Sequence, residues 1–173
     1  MKRLLVGGAG VAAGLGLASA GAAAYVAKMV QGRATGDIDG LLDNKDPDPR
    51  DVVVCLGASI VRGRASVDFV EMLRGRLPQL QFVNGGINNE TADDVLQRLD
   101  EVIACRPKAV LILIGTNDAQ AILNPAGVVA RRRQKSAGTS QEPPIEAYQQ
   151  ALKATASELV DRTPARIGLC PLP

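Results

Sequence analysis

The sequence predicts an α/β domain of three layers, a mostly parallel sheet between helices, and three observations carry that reading. Short β-branched or aliphatic runs alternate with segments whose apolar residues recur at helical spacing. Three of the strand-like runs stop at or near a glycine, at Gly57, Gly85 and Gly115. The polar residues that stand out sit just past those runs, where ligands bind in open parallel sheets.

In chain order, Lys2 and Arg3 precede an uncharged stretch from Leu4 to Ala27, closed by Lys28. A helix of about 20 residues crosses a bilayer, so this stretch is long enough to span one. Its basic start, apolar middle and Ala18-Ser19-Ala20 site equally fit a signal peptide. Residues 1–30 are therefore expected to be a signal peptide or a transmembrane anchor, and the protein secreted or membrane-anchored. The flanking charges, Lys2 and Arg3 against Lys28 and Arg33, are similar and specify orientation only weakly. Gly8-x-Gly10-x-x-Ala13 loosely matches a dinucleotide fingerprint. That motif needs a strand before it and an amphipathic helix after it, and the segment that follows is apolar all round. Residues 31–50, rich in Asp, Gly and Pro, read as a linker.

Residues 51–173 form the expected domain. Asp51 to Leu56 reads as a buried strand. Val67, Val70, Leu73 and Leu77 mark a helix over 66–77, stopped by Pro78. Gln81 to Val83 is a brief strand closed by an Asn84-Gly85-Gly86 turn. Thr91-x-x-Asp94 is a capping box, in which the hydroxyl takes an orphan backbone N–H. Val95, Leu96, Leu99, Val102 and Ile103 then mark one helix ending before Pro107. Ala109 to Ile114 is the strongest strand signal in the chain. An irregular stretch follows; its residues 124–144 read as a variable loop over the site, and Arg131 to Lys135 as a solvated basic run. Ile145, Tyr148, Leu152, Leu159 and Val160 mark a last helix, and Arg166 to Cys170 a last strand.

Composition narrows the chemistry. Hydrophobic residues make up 46% of 173, enough for a real core. A net charge of +2 is too small to imply a polyanionic partner. Aromatics at 2% argue against base-stacking modules, so no nucleic-acid partner is expected. The three cysteines lie far apart with no Cys-x-x-Cys pair, which argues against a zinc site or a disulfide framework. Cys55 and Cys170 lie in apolar runs, where a thiol acts as a small hydrophobe. There is no histidine, so neither a His-based metal site nor a Ser-His-Asp triad can be completed within these residues.

Three motifs remain. Gly57-Ala58-Ser59-Ile60 puts a serine at a strand-to-helix turn, where its hydroxyl can face a ligand or simply cap the helix. Asn84-x-Gly86-x-x-Asn89-x-Thr91 offers a glycine-permitted turn whose N–H groups can point at an anion. Gly115-Thr116-Asn117-Asp118 ends a hydrophobic strand with an amide able to donate to a developing oxyanion and an acid able to brace the loop; an Asx turn is the plainer alternative.

In this order and spacing the motifs resemble the SGNH/GDSL hydrolases, over roughly Val52 to the chain end and three of that family's four motif blocks. The resemblance implies a flavodoxin-like αβα sandwich, incomplete at the C-terminus. It implies Ser59 as nucleophile. The oxyanion hole would be the N–H of Ser59, the N–H of Asn89 and the side-chain amide of Asn117. The substrate would be a small-molecule or polymer-borne acyl or acetyl ester, with no metal or cofactor. The chain departs from the family at three points. Ala58 stands where Asp is usual, Asn89 stands where Gly is usual, and no Asp-x-x-His block is present. Arg166 to Pro173 resembles the strand and Pro-containing turn ahead of that block, so the expectation is a chain lacking its final elements and nearly inactive as it stands. A membrane-tethered binding module with the fold but without turnover is the alternative. A nucleotide-binding domain is disfavoured because no Gly-x4-Gly-Lys-Ser/Thr loop occurs.

Overall fold

A computed structural model describes residues 37–46, 48–63, 67–123 and 145–170. The expected membrane segment, the Arg131–Lys135 run and the loop over 124–144 lie outside the described residues. Among the described residues, no helix is long and apolar enough to cross a membrane.

Four parallel strands, β1 (Asp51–Gly57), β2 (Leu80–Gly86), β3 (Ala109–Leu113) and β4 (Arg166–Leu169), form one sheet in the order β2-β1-β3-β4. The chain adds β2 on one side of β1 and then returns to the other side with β3. The order therefore reverses at β1, and in sheets of this class that reversal opens the ligand crevice. The helices are α1 (Ile38–Leu42), α2 (Ser59–Arg62), α3 (Phe69–Arg76), α4 (Ala92–Gln97), α5 (Leu99–Ala104), α6 (Thr116–Leu123) and α7 (Ile145–Arg162).

Side-chain alternation along the strands explains both helical layers. Val54 and Leu56 of β1 and Val110 and Ile112 of β3 face one side, with Ile38 of α1, Val95 of α4, Leu99 and Val102 of α5, and Ala151 and Leu159 of α7. Val53 and Cys55 face the other side, with Val61 of α2, Val70 of α3 and Phe82 of β2. The second layer is thinner. There Ala109, Leu111 and Leu113 of β3 are only partly buried, and among the described residues just α2 and α3 pack on that face. The three-layer α/β architecture expected from the alternation is thus the one observed.

Four local expectations change. Asn84-Gly85-Gly86 continues β2 and is not a turn. Gly86 is needed for close packing: a Cβ there would stand 2.3 Å from the backbone N of Arg62. The single helix expected after Thr91 is two helices, α4 and α5, broken at Arg98 with φ −110° and ψ 19°. The expected linker contributes α1, whose Ile38 is buried in the larger core while the Asp37 side chain caps Gly40 N–H at 2.9 Å. Cys170 is exposed and is no core thiol, because β4 lies at the sheet edge and its own residues are at most half-buried. The Thr91 capping box is present as expected, with Thr91 N–H donating to Asp94 Oδ2 at 2.9 Å.

Candidate active site

The three motif loops leave the sheet side by side. Gly57, the last residue of β1, is in register with Gly86 of β2 and with Leu113 of β3. From that row Ser59 is two residues on, Asn89 three and Asn117 four. Ile87 N–H donates to the Gly57 carbonyl at 3.1 Å, which extends the β1–β2 pairing into the second loop.

Ser59 opens α2 and is half-buried. The tight exit from β1 depends on Gly57, where a Cβ would lie 2.1 Å from the Leu113 carbonyl oxygen. Ala58 is the N-cap of α2 and gives it no side-chain cap bond. Asn84, 1% exposed, fixes α2 from the neighbouring strand. Its Nδ2 donates to the Val61 carbonyl at 2.9 Å, and its Oδ1 accepts from Gly86 N–H at 3.0 Å. A buried amide satisfied on both ends locks the turn that carries Ser59 to the end of β2.

Asn89 adopts φ 63°, the left-handed region in which Asn is among the better tolerated non-glycine residues. The next residue, Glu90, is 4% exposed. Its carbonyl accepts a hydrogen bond from Asn117 Nδ2 at 2.8 Å, so the second and third loops are joined directly. Asp118 is 3% exposed, and both its oxygens accept from Ala92 N–H at 3.2 Å, in the first turn of α4. The sequence suggested that this acid braces the loop; the structure shows it bracing the neighbouring loop. Neither Asn117 nor Asp118 lies in an irregular segment. They form the first turn of α6, where an acid meets the positive end of the helix dipole.

Four contributors, Glu90 among them, were not evident from sequence. Arg98, at the α4–α5 break, donates from Nε to both carboxylate oxygens of Glu90, at 2.9 and 3.0 Å, and from Nη2 to Gly85 O at 2.6 Å. Asn84 was read as part of a turn. Tyr148 of α7 packs on Gly115, whose φ is 126° and where a Cβ would meet the ring at 2.9 Å. Burial, followed by the negative charge of Asp118, pushes the Tyr148 phenol above its ordinary pKa. Among the described residues, no group of three Cys, Asp or Glu side chains converges as a metal site requires.

No curated protein sequence matches the chain. The profile of the GDSL-like Lipase/Acylhydrolase family matches residues 55–172, which cover all three motif loops. The chain belongs to the GDSL-like lipase/acylhydrolase family. Solved structures with the same fold include a protein of the lipolytic G-D-S-L family from Desulfitobacterium hafniense DCB-2, at 25% identity and a TM-score of 0.50. TesA is similar at 23% identity and a TM-score of 0.51. The psychrotrophic esterase EstA from Pseudoalteromonas sp., inhibited by monoethylphosphonate, is similar at 22% and 0.50. These likenesses cover 69%, 69% and 71% of the chain but 58%, 59% and 61% of the respective structures. The GDSL-like chain thus spans about three fifths of the length of the structures it matches.

Proposed function

We propose that this GDSL-like chain carries the nucleophile and oxyanion hole of a serine ester hydrolase acting on small acyl or acetyl esters. The observation that supports it most is the row Gly86–Gly57–Leu113, from which the loops of Asn89, Ser59 and Asn117 depart together. The bond between the Asn117 amide and the Glu90 carbonyl ties two of them. In this reading Ser59 Oγ attacks the ester carbonyl carbon, and the N–H groups of Ser59 and Asn89 and the amide of Asn117 stabilise the oxyanion. Collapse of the tetrahedral intermediate breaks the C–O bond to the alcohol, and water then hydrolyses the acyl-enzyme and restores the serine. Loss of one such donor commonly costs about 3 kcal/mol of barrier.

The proton of Ser59 needs a base, and the sequence contains no histidine. We place that base in a polypeptide segment outside these residues, a reading supported by the three fifths of each matched structure that the chain spans. Translation downstream of codon 173 tests it: an Asp-x-x-His block fits, and a stop codon contradicts it. The apolar segment from Leu4 to Ala27 would export or tether the enzyme. Fluorophosphonate labelling of the base-containing protein is expected to modify Ser59 and to vanish in Ser59→Ala. Labelling that persists in that variant overturns the assignment. A binding module without turnover is the second reading, motivated by Ala58 and Asn89, which stand where the family usually has Asp and Gly, and by the missing histidine. Ester turnover by the base-containing protein would exclude it.

A further inference from the structure

We propose that the buried Glu90–Arg98 pair is a positioning device for the oxyanion hole, holding the Asn89 N–H and the Asn117 amide in register with each other. The inference rests on the reading of those two groups as oxyanion donors and adds the residues that aim them.

Glu90 is the junction. Through its peptide bond it follows Asn89, whose φ of 63° orients one donor. Through its carbonyl it accepts from Asn117 Nδ2, which orients the other. Through its carboxylate it is gripped by Arg98, with Nη2 at 2.7 Å from Oε2 and Nε bonded to both oxygens. The same guanidinium donates to Gly85 O, so one side chain spans the loop from the end of β2 to Glu90, the residue joined to both donors.

The pair's placement argues against a merely stabilising role. The side chains of Arg98 and Glu90 are 11% and 6% exposed. Burying two charges is a poor way to gain stability, because desolvation offsets the attraction and apolar residues of similar volume often serve as well. A forked guanidinium does offer what an apolar contact lacks, a fixed direction for each of its bonds. Arg98 also sits where the helix after Thr91 is interrupted.

The test uses the 173-residue protein, isotopically labelled for NMR. In the double variant Glu90→Gln with Arg98→Met both charges of the pair are removed together, so the fold is expected to survive with a nearly unchanged melting temperature. The Asn117 side-chain amide proton bonded to Glu90 is expected to exchange at least about tenfold faster, and the Asn89 N–H signal to shift. Arg98→Lys, which keeps the charge but not the fork, is expected to fall between the double variant and the parent. A folded double variant that keeps both signatures overturns the proposal, and so does one that loses them only by unfolding globally. Fluorophosphonate labelling with Ser59→Ala, in the base-containing protein, separates the two ideas. Labelling that persists in that variant sinks the nucleophile assignment while the NMR result still decides whether Arg98 and Glu90 aim the two amides.

Discussion

Asn117 is held by a main-chain carbonyl of a buried residue, so its removal should register in stability as well as in chemistry. Asn117→Ala takes a donor from the Glu90 carbonyl, and a buried acceptor left short costs about 1–3 kcal/mol. A lower denaturant midpoint with unchanged slope is the expected outcome. An unchanged midpoint would mean that the bond does not persist in solution. Gly86→Ala should cost about 3 kcal/mol in the same assay, because the new Cβ meets backbone atoms of α2 that cannot yield like a flexible side chain. Wild-type stability in that variant would disprove the close approach of β2 and α2. Ser59, Asn117 and Asp118 were legible in the sequence because each follows the end of an apolar run. Glu90 and Arg98 were not. They lie eight residues apart, a spacing that links neither strand nor helix neighbours, and their pairing depends on a helix break that apolar periodicity conceals.

Among the elements, β2 shows how an exposed sheet edge is closed. Arg74 Nε donates to Phe82 O at 3.0 Å, so a guanidinium occupies a carbonyl that a neighbouring strand would otherwise take, and Arg50 Nη1 donates to Pro78 O just ahead of the strand at 3.0 Å. These arginines line a recess of about 240 Å³ that none of the three site residues borders. Asp48 pairs with Arg50, whose hydrogen bonds hold the Asp48 carboxyl at about 2, against an ordinary 3.8. A depressed carboxylate pKa means that the contribution is present above the ordinary value and is lost as pH falls through about 2. A carboxyl NMR titration should therefore give Asp48 a midpoint near 2, returning toward 3.8 in Arg50→Gln. An ordinary midpoint in the parent protein would contradict the pairing. The elements themselves were mostly legible: β1, β3 and α7 follow directly from apolar runs and periodicity. The extension of β2 through Gly86 was hidden because glycine signals a turn in sequence and close packing here. The helix starting at Thr116 was hidden because Thr, Asn and Asp favour turns as readily as helix starts.

Across the described domain, position relative to the sheet gives the thiols different fates. Burial pushes Cys55 up to about 12, with Cys170 adding to it, and pushes Cys105 up to about 11, whereas Cys170 is exposed. Since the thiolate is the reactive form, iodoacetamide at pH 8 should modify Cys170 and reach Cys55 and Cys105 only after denaturation. Rapid modification of all three would mean that the sheet faces are open. The fold class and the meeting of three loops at one sheet edge could be read from the chain because strand–helix alternation allows few topologies. The uneven covering of the sheet by the described helices could not be read, since it depends on which helices pack on which face. The most direct test of the central claim is a crystal structure of Ser59 phosphonylated in the base-containing protein. The account predicts a phosphonyl oxygen about 2.7–3.1 Å from the N–H groups of Ser59 and Asn89 and from Asn117 Nδ2. A phosphonyl oxygen turned away from Asn117, or a phosphonate on any other residue, would contradict it.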